Sequence, residues 1–195
     1  MIKIAFSGAA GVGKSTLARA VAAELPKLSS NLKTIEIVPE YAREYINKYG
    51  TTDHPAEQLL IFSKQLSAEK FWPPKTQIIL CDSPVFLGLK YTFDLRKPDL
   101  KSTKIVDEIF SSINQLYTTK PHYDIVFHIP PTFIGVDDGT RKAEHLNREW
   151  LSKSDIELQG LMLLFKQPYL LVNQTSIKER AEFCSNKILE YFQAN

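Results

Sequence analysis

The sequence predicts an α/β fold in which a parallel sheet of five short strands is covered by helices on both faces. Five short apolar runs alternate with stretches in which apolar residues recur at helical spacing. Strands of a parallel sheet are buried on both faces, so they consist largely of apolar residues, and helices usually connect them. We expect the 195 residues to form one domain, because single hydrophobic cores commonly comprise roughly 100–200 residues.

The predicted elements can be placed in order along the chain. The strands span residues 2–6, 34–38, 77–81, 124–129 and 169–172. A helix follows the first strand and should end at Pro26, another runs from about 53 to 70, and a partly helical region precedes the fourth strand. A further helix should be under way by Asp155. The last begins at the capping-box pair Ser176 and Glu179. Its buried side is expected to carry Ile177, Ala181, Cys184 and Ile188.

The composition is that of an ordinary globular protein, with 44% hydrophobic and 24% charged residues. Its 24 basic and 22 acidic residues give a net charge of +2, so no strongly basic face indicates a nucleic-acid partner. Cys81 and Cys184 alone cannot form a disulfide framework or a four-ligand zinc site. No apolar run is long enough for a signal peptide or a membrane span, so we expect a soluble, cytoplasmic protein without a membrane partner. The sequence indicates no oligomeric state.

A glycine-rich segment between the first strand and the first helix carries the strongest functional signal. It matches the pattern G-x-x-x-x-G-K-[ST] and consists of Gly8, Ala9, Ala10, Gly11, Val12, Gly13, Lys14 and Ser15, followed by Thr16. Glycines allow successive backbone N–H groups to converge on phosphate oxygens, and the helix directs the positive end of its dipole toward them. Lys14 supplies a charge for the β and γ phosphates, and the Ser15 hydroxyl can bind Mg²⁺. The segment therefore predicts a nucleoside triphosphate site.

Asp82 directly follows the third strand, as the carboxylate of a Walker B segment does. Such a carboxylate can hold Mg²⁺, directly or through water, or accept a proton from the nucleophile. A second interpretation is that Asp82 only caps a helix beginning near Pro84. The signatures of a switch GTPase are missing, because Val85 stands where D-x-x-G requires glycine and N-K-x-D occurs nowhere. The length of the chain fits phosphate transfer to a small acceptor better than it fits an ATP-driven motor.

Two segments are candidates for an acceptor site. Glu40, Tyr41 and Arg43 follow the second strand, and ligands of open α/β sheets bind outside the carboxyl ends of the strands. Glu40 could accept a proton from a hydroxyl or hold a sugar, and Arg43 could steady the acceptor or the transferred phosphate. A surface ion pair is the other interpretation.

The predicted helix at 53–70 supplies the second candidate segment. One of its faces carries a stripe made of Gln58, Phe62, Gln65 and Glu69. Amides beside an aromatic ring suit a base that needs stacking and edge hydrogen bonds. Phe62 and Gln65 are therefore candidate acceptor-binding residues, with Gln65 the best single candidate. An exposed polar stripe is an equally open interpretation.

A charged, turn-rich segment at about 132–150 is the candidate lid. An Asp-Gly turn at 138–139 precedes Arg141, which could swing onto the phosphates. A positioned arginine can raise the rate about 10³–10⁵-fold because it stabilises charge on the transferring group. A solvated loop is the alternative.

These segments occur in an order that resembles the NadR-like P-loop kinases, typified by bacterial nicotinamide riboside kinase domains. The resemblance depends on the glycine-rich segment, the run 39–45, the strand ending at Asp82, Tyr123-Asp124 and the run 137–141. It implies a P-loop NTPase three-layer sandwich with strand order 2-3-1-4-5 and a short lid. It also implies transfer of phosphate from ATP, with Mg²⁺, to the 5′-hydroxyl of a nucleoside-like acceptor.

The same resemblance supports roles for individual residues. It implies Lys14 and Ser15 as phosphate and metal groups, Asp82 as a metal or base carboxylate, and Arg141 as the cation of the lid. In typical riboside kinase domains a tryptophan often precedes the D-G-x-R segment, whereas residues 134–136 here read Ile-Gly-Val. Nicotinamide riboside is therefore one candidate acceptor beside other nucleosides. We expect no adenylyltransferase domain, because the first strand begins at Ile2.

Three other functions are open at this point. A (deoxy)nucleoside monophosphate kinase would need cations for the acceptor phosphate, and the candidates are Arg43, Lys90, Arg96 and Lys97. A nucleotide-binding regulator would act through a protein partner, and the missing GTPase signatures count against it. A nucleic-acid end kinase would need a basic stripe or a separate binding module, and neither is evident.

Overall fold

A parallel sheet of five strands forms the middle layer of the fold. The computed structural model describes residues 1–50, 52–95, 99–118, 121–132 and 147–194. The strands are β1 (Ile2–Ser7), β2 (Ile35–Val38), β3 (Ile78–Cys81), β4 (Ile125–His128) and β5 (Leu170–Leu171). Their order across the sheet is β2-β3-β1-β4-β5, and every neighbouring pair is parallel. The predicted sandwich with this strand order is therefore confirmed.

The connections between these strands contain the helices of the described part of the chain. In order they are α1 (Lys14–Leu28), α2 (Tyr41–Tyr49), α3 (Pro55–Ala68), α4 (Leu87–Leu95), α5 (Leu100–Leu116), α6 (Arg148–Leu164) and α7 (Ile177–Ala194). The helices α1 and α7 cover one face of the sheet, and α3 to α6 cover the other. None of these helices is both long enough and apolar enough to span a bilayer.

The alternation of side chains along β1 produces the two cores. Ile4 and Phe6 pack with Leu17 of α1 on one face, whereas Ala5 packs with Phe62 of α3 on the other. Successive residues of a strand point to opposite faces, so the consecutive apolar residues Ile4, Ala5 and Phe6 supply both cores. The uninterrupted apolar runs of the sequence have this physical basis.

Two helix details differ from the sequence prediction. Helix α1 passes through Pro26, which we expected to end it, and runs to Leu28. Pro26 cannot donate the usual backbone hydrogen bond, but it lies near the end, where Ser29 N donates to Leu25 O at 3.0 Å and closes the helix. Ile177 is 43% exposed rather than buried, because it lies in the first turn of α7 and lines an open groove between α7 and α1.

The capping-box prediction at the last helix is confirmed. The Glu179 carboxylate accepts from Ser176 N at 3.0 Å, and the Ser176 hydroxyl accepts from Glu179 N at 3.2 Å. Ala181, Cys184 and Ile188 are buried as expected, together with Arg180. The start of α6 is capped similarly, since the side chain of Asn147 accepts from Glu149 N at 2.7 Å.

Candidate active site

The phosphate loop, defined here as residues 8–15, connects β1 to α1 at the carboxyl edge of the sheet. Gly8 and Gly13 have φ values of +143° and +94°, which favour glycine. A Cβ on Gly8 would lie 2.6 Å from the carbonyl oxygen of Ile129, so no larger residue fits there. Gly13 is the N-cap of α1 and provides no side-chain cap for its first N–H groups. This geometry leaves the start of α1 suited to an anion.

Lys14 is the buried cation of the phosphate loop. Its Nζ donates to the carbonyl oxygens of Gly8 and Ala9, at 2.9 Å in each case. These contacts hold the ammonium group over the loop, where a phosphate would meet it. Ser15 and Thr16 follow Lys14 in the first turn of α1. Ser15 is half-buried and Thr16 is exposed.

Asp82 lies directly after β3, and 6% of its surface is exposed. Its N–H donates to Val38 O at 2.9 Å, which ties the end of β3 to the end of β2. Its Oδ1 is buried and has no hydrogen-bond partner among the described residues. A buried carboxylate oxygen without a donor is costly unless a cation faces it, so this oxygen suits a metal ligand.

The donor set fits Mg²⁺ held together with nucleotide phosphates. No group of three or more His, Cys, Asp or Glu side chains gathers in the described ranges, so these side chains provide no complete metal cage. Mg²⁺ is usually bound by one or two protein oxygens plus substrate phosphates and water. Asp82, and the hydroxyl of Ser15 at the phosphate loop, are oxygen donors of this kind.

A first cavity brings the phosphate loop together with the segment after β2. Its lining residues are Ala10, Gly11, Lys14, Glu40, Ala42, Arg43, Ile46, Thr52, Gln58, Ile61 and Tyr91. Glu40 is the N-cap of α2, and Arg43 N donates to Glu40 O at 3.2 Å. Both side chains are half-buried. The cavity therefore places Lys14, a carboxylate and a guanidinium around one space.

A second cavity adjoins the first and is more apolar. It is lined by Glu40, Ala42, Gln58, Ile61, Phe62, Gln65, Ser83, Pro84, Val85, Leu87, Gly88 and Tyr91. The first cavity shares Glu40, Gln58 and Tyr91 with it. An apolar space with a few directed polar groups is typical of small-molecule sites. The two cavities together have a charged end at the phosphate loop and an apolar end at α3 and α4.

The stripe on α3 is buried, which excludes its interpretation as an exposed polar face. Gln58, Phe62 and Gln65 line the second cavity, and Gln58 Nε2 donates to the Thr52 hydroxyl at 3.1 Å. Gln65 Oε1 accepts from Tyr41 N at 2.9 Å. Gln65 therefore also holds the start of α2.

Glu69 of the stripe and Tyr41, a predicted acceptor residue, do not line these cavities. The Glu69 side chain forms an ion pair with Lys3, the two charged atoms being 2.7 Å apart. Tyr41 is not among the lining residues of either cavity; its backbone N–H contacts Gln65.

Lys90, a candidate for binding an acceptor phosphate, is engaged elsewhere. It is buried, forms an ion pair with Asp94, and its Nζ lies 3.9 Å from the ring centre of Trp150. Its Nζ also lies 3.9 Å from the Glu157 carboxylate. These contacts join α4 to α6, and Lys90 lines neither cavity. The pair with Asp94 is four residues apart on one helix and is visible in the sequence, whereas the contacts with Trp150 and Glu157 of α6 are not.

Several predicted residues lie outside the described residues. These are Arg141 with most of the candidate lid, and Arg96 and Lys97. Thr52 and Tyr91 line the first cavity but were not expected from the sequence. Neither belongs to a motif; Thr52 precedes α3 and is held by its hydrogen bond from Gln58, whereas Tyr91 is a residue of α4.

The fold and the phosphate loop define a class of protein: a P-loop nucleotide-binding protein. The strand order β2-β3-β1-β4-β5, the glycine loop between β1 and α1, and a carboxylate at the end of β3 all belong to that class. The chain belongs to the family described as AAA domain, whose profile matches residues 3–180.

The chain is also similar to solved structures of other proteins. A crystal structure of NadR protein in complex with NR superimposes with a TM-score of 0.75 at 18% identity, covering 97% of this chain and 51% of that chain. The chain thus spans about half the length of that NadR chain. The family match and this likeness confirm the resemblance to the NadR-like P-loop kinases.

Two structures of deoxyadenosine kinase from M. mycoides are similar over nearly their whole length. The one with products dCMP and a flexible dCDP has a TM-score of 0.57 at 19% identity, covering 97% of this chain and 99% of that one. The one with bound dATP has a TM-score of 0.55 at 20% identity, covering 97% and 100%. At these identities the likeness establishes the fold. No protein with curated annotation matches the chain significantly.

Proposed function

We propose that this protein is an ATP- and Mg²⁺-dependent kinase that transfers the γ-phosphate to a hydroxyl of a small nucleoside-like acceptor. One observation carries the proposal: Lys14 of the phosphate loop and Glu40 and Arg43 of the α2 segment line one cavity, which opens into an apolar cavity with two buried amides. Phosphate transfer depends on positioning and on charge stabilisation, and these two cavities offer a place for each partner.

At the donor end, the phosphate loop would hold the nucleotide. Its backbone N–H groups, from Gly8 to Thr16, face the β and γ phosphates in this proposal, and Lys14 adds a positive charge. Ser15 and Asp82 would hold Mg²⁺, which neutralises charge on the phosphates. The unpartnered Oδ1 of Asp82 supports this role.

At the acceptor end, the second cavity would take the base and the first would take the sugar. Phe62 offers an aromatic surface and Gln58 a buried amide, while Gln65 and Tyr41 support the wall through their mutual hydrogen bond. NadR was solved with NR, and the similar kinase from M. mycoides is a deoxyadenosine kinase. Nicotinamide riboside and the common nucleosides are therefore the first acceptors to test.

Glu40 is our candidate for accepting the hydroxyl proton. It lines both cavities, whereas Asp82 lines neither. With Asp82 assigned to the metal, Glu40 is the carboxylate nearest the space for a hydroxyl, and Arg43 would steady the phosphate. Arg141 is proposed as the cation of a lid at about 132–150, within a single domain.

A nucleoside fits these cavities better than a nucleoside monophosphate. A second phosphate needs cations of its own, and Lys90 is committed to Asp94 and Trp150. Arg43 is then the only one of the four suggested cations that the described part of the chain offers to the cavities. We therefore propose an acceptor that carries no phosphate group.

An ADP-release assay with ATP and Mg²⁺ tests this function. The acceptor panel comprises nicotinamide riboside, the ribo- and deoxyribonucleosides, and their monophosphates. Turnover with one or more nucleosides, and little with monophosphates, is the expected result. Nucleotide binding without turnover across the panel would contradict the proposal and favour a nucleotide-binding regulator.

A further inference from the structure

Tyr123 contacts the segment that follows Asp82, although it lies outside both cavities. It precedes β4 and is completely buried. Its hydroxyl oxygen accepts a hydrogen bond from Val85 N at 2.7 Å, and its O–H lies 3.1 Å from each oxygen of the Glu69 carboxylate. The Tyr123 hydroxyl therefore links the end of α3 to the chain just after β3.

The hydroxyl can serve both partners because it stays protonated. Burial, and next the negative charge of Glu69, raise the pKa of Tyr123 well above its ordinary value. A neutral phenol can donate one hydrogen bond and accept others at the same time. It thus donates to Glu69 and accepts from Val85 across the whole physiological pH range.

Glu69 is a buried charge with several partners. Its side chain is 0% exposed, and it forms an ion pair with Lys3 at 2.7 Å. Gln65 Nε2 lies 3.4 Å from its Oε1. A buried carboxylate is tolerated only where donors surround it, and its position is then strongly constrained. Glu69 is therefore held in place, and it contacts both Tyr123 and Gln65.

Both chains of contacts from Glu69 lead to the second cavity. Val85 and Gln65 belong to its lining. Gln65 also accepts from Tyr41 N, one residue after Glu40. One route therefore runs from Glu69 through Tyr123 to Val85, and the other through Gln65 to the start of α2. Neither Glu69 nor Tyr123 touches the cavity itself.

We propose that Tyr123 and Glu69 are positioning residues for the acceptor, an inference that rests on the proposed kinase function. They hold two walls of the acceptor site at a fixed separation: the Val85 segment and the α2 start that carries Glu40. If the pair only satisfied buried polar groups, its loss would destabilise the fold. It would then weaken the binding of acceptor and of nucleotide to the same extent.

The variant Tyr123→Phe tests the first route, because it keeps the ring and removes only the hydroxyl. We expect the acceptor KM to rise about tenfold, as the loss of one buried hydrogen bond implies, while the Kd for ATP with Mg²⁺ stays unchanged. In hydrogen exchange followed by mass spectrometry, the peptide containing Val85 should lose protection. Tyr169→Phe is the matched control, since its hydroxyl donates to Gln159 at 3.0 Å and contacts neither cavity.

Glu69→Gln is the second variant, and it should raise the acceptor KM as well. Combined with Tyr123→Phe, it should raise KM by less than the product of the two single effects, because both act on the Val85 segment.

An unchanged acceptor KM in a folded Tyr123→Phe protein would overturn the inference. An equal rise in the acceptor KM and in the Kd for ATP would overturn it as well. If the native chain turns over no acceptor, the proposed function fails. The exchange measurement then decides alone, and unaltered protection of the Val85 peptide refutes the positioning role.

Discussion

Lys14 and Asp82 differ in what their charged atoms meet at the phosphate loop. The Lys14 ammonium donates to two backbone carbonyls, and phosphate oxygens can replace these neutral acceptors with a stronger, charge-assisted contact. The Asp82 carboxylate has a buried oxygen that no described residue contacts by a hydrogen bond. These contacts agree with the proposed roles, in which Lys14 binds the phosphates and Asp82 binds a cation.

Lys14→Ala should lower kcat about 10²–10³-fold, because it removes one preorganised charge from the transferring phosphate. Steady-state ADP release with the best acceptor of the panel measures the change. Lys27→Ala is the matched control, since this exposed lysine of the same helix pairs only with Glu24 among the described residues. Near-native turnover of Lys14→Ala would contradict the role of the phosphate loop.

Glu40→Gln should lower turnover of the acceptor more than it weakens binding of the nucleotide. The amide keeps the size of the side chain but accepts a proton poorly, and general-base catalysis contributes about 10²–10⁴-fold. We expect kcat to fall within this range with little change in the Kd for ATP. Glu44→Gln, an exposed position on the same helix, should behave as the native protein does. Weakened ATP binding with intact kcat would remove Glu40 from the acceptor site.

At the scale of the element, carboxylates accept backbone hydrogen bonds at the starts of α3, α5 and α7. At the start of α3, burial alone would raise the pKa of Glu57, but hydrogen bonds from Asp53 N, His54 N and the Tyr45 hydroxyl outweigh it, so the pKa is lowered. The hydrogen bond from Tyr45, a residue of α2, joins this cap to the neighbouring helix.

The caps of α5 and α7 follow the same principle. The N–H and hydroxyl groups of Ser102 lower the pKa of Asp99, and those of Ser176 lower the pKa of Glu179. A carboxylate whose pKa is lower in the folded chain than in the unfolded chain stabilises the fold at neutral pH. That contribution disappears as the pH falls through the folded-state pKa.

The free energy of unfolding should therefore decrease as the pH falls below about 4, where the carboxylates begin to be protonated. Urea unfolding at a series of pH values measures this dependence. Glu57→Gln should make the decrease shallower, since it removes one of the three groups. Glu190→Gln serves as control, because this exposed carboxylate contacts Lys187 and caps no helix. An identical slope in native and Glu57→Gln proteins would refute the role of the cap.

At the scale of the whole molecule, the site lies where separate parts of the chain meet. The phosphate loop belongs to the first core through Ala9 and Val12, and the second cavity belongs to the other core through Phe62 and Val85. Each core provides one side of the proposed reaction. A ligand that bridges the two sides binds only the folded protein and therefore stabilises it.

ATP with Mg²⁺ should raise Tm, with a stabilisation of about 2.7 kcal/mol when free nucleotide exceeds its Kd a hundredfold. Differential scanning fluorimetry with ATP alone, Mg²⁺ alone and both together measures the shift. In Asp82→Asn the part of the shift that requires Mg²⁺ should be lost, while the Tm without ligands should not decrease. A full Mg²⁺-dependent shift in this variant would exclude Asp82 as the metal carboxylate.

Particular residues show how far the site could be predicted. The phosphate loop is continuous in sequence, and its glycines indicate positions with positive φ. Its place between β1 and α1 could therefore be predicted from the sequence alone. The contact of Lys90 with Trp150 was not predicted, because the two residues are 60 positions apart (150 − 90) and lie on different helices. Burial of Glu69 was missed for the same reason, since Lys3 and Tyr123 are far from it along the chain.

The amino-acid sequence was sufficient for the strands, for their parallel arrangement and for the phosphate loop, because local periodicity and short motifs encode all three. Which side chains share a cavity, and which are withdrawn into internal ion pairs, depended on how α3, α4 and α6 pack across the sheet. Such packing brings together residues that are dozens of positions apart, and the spacing of residues along a single chain carries no information about those distances.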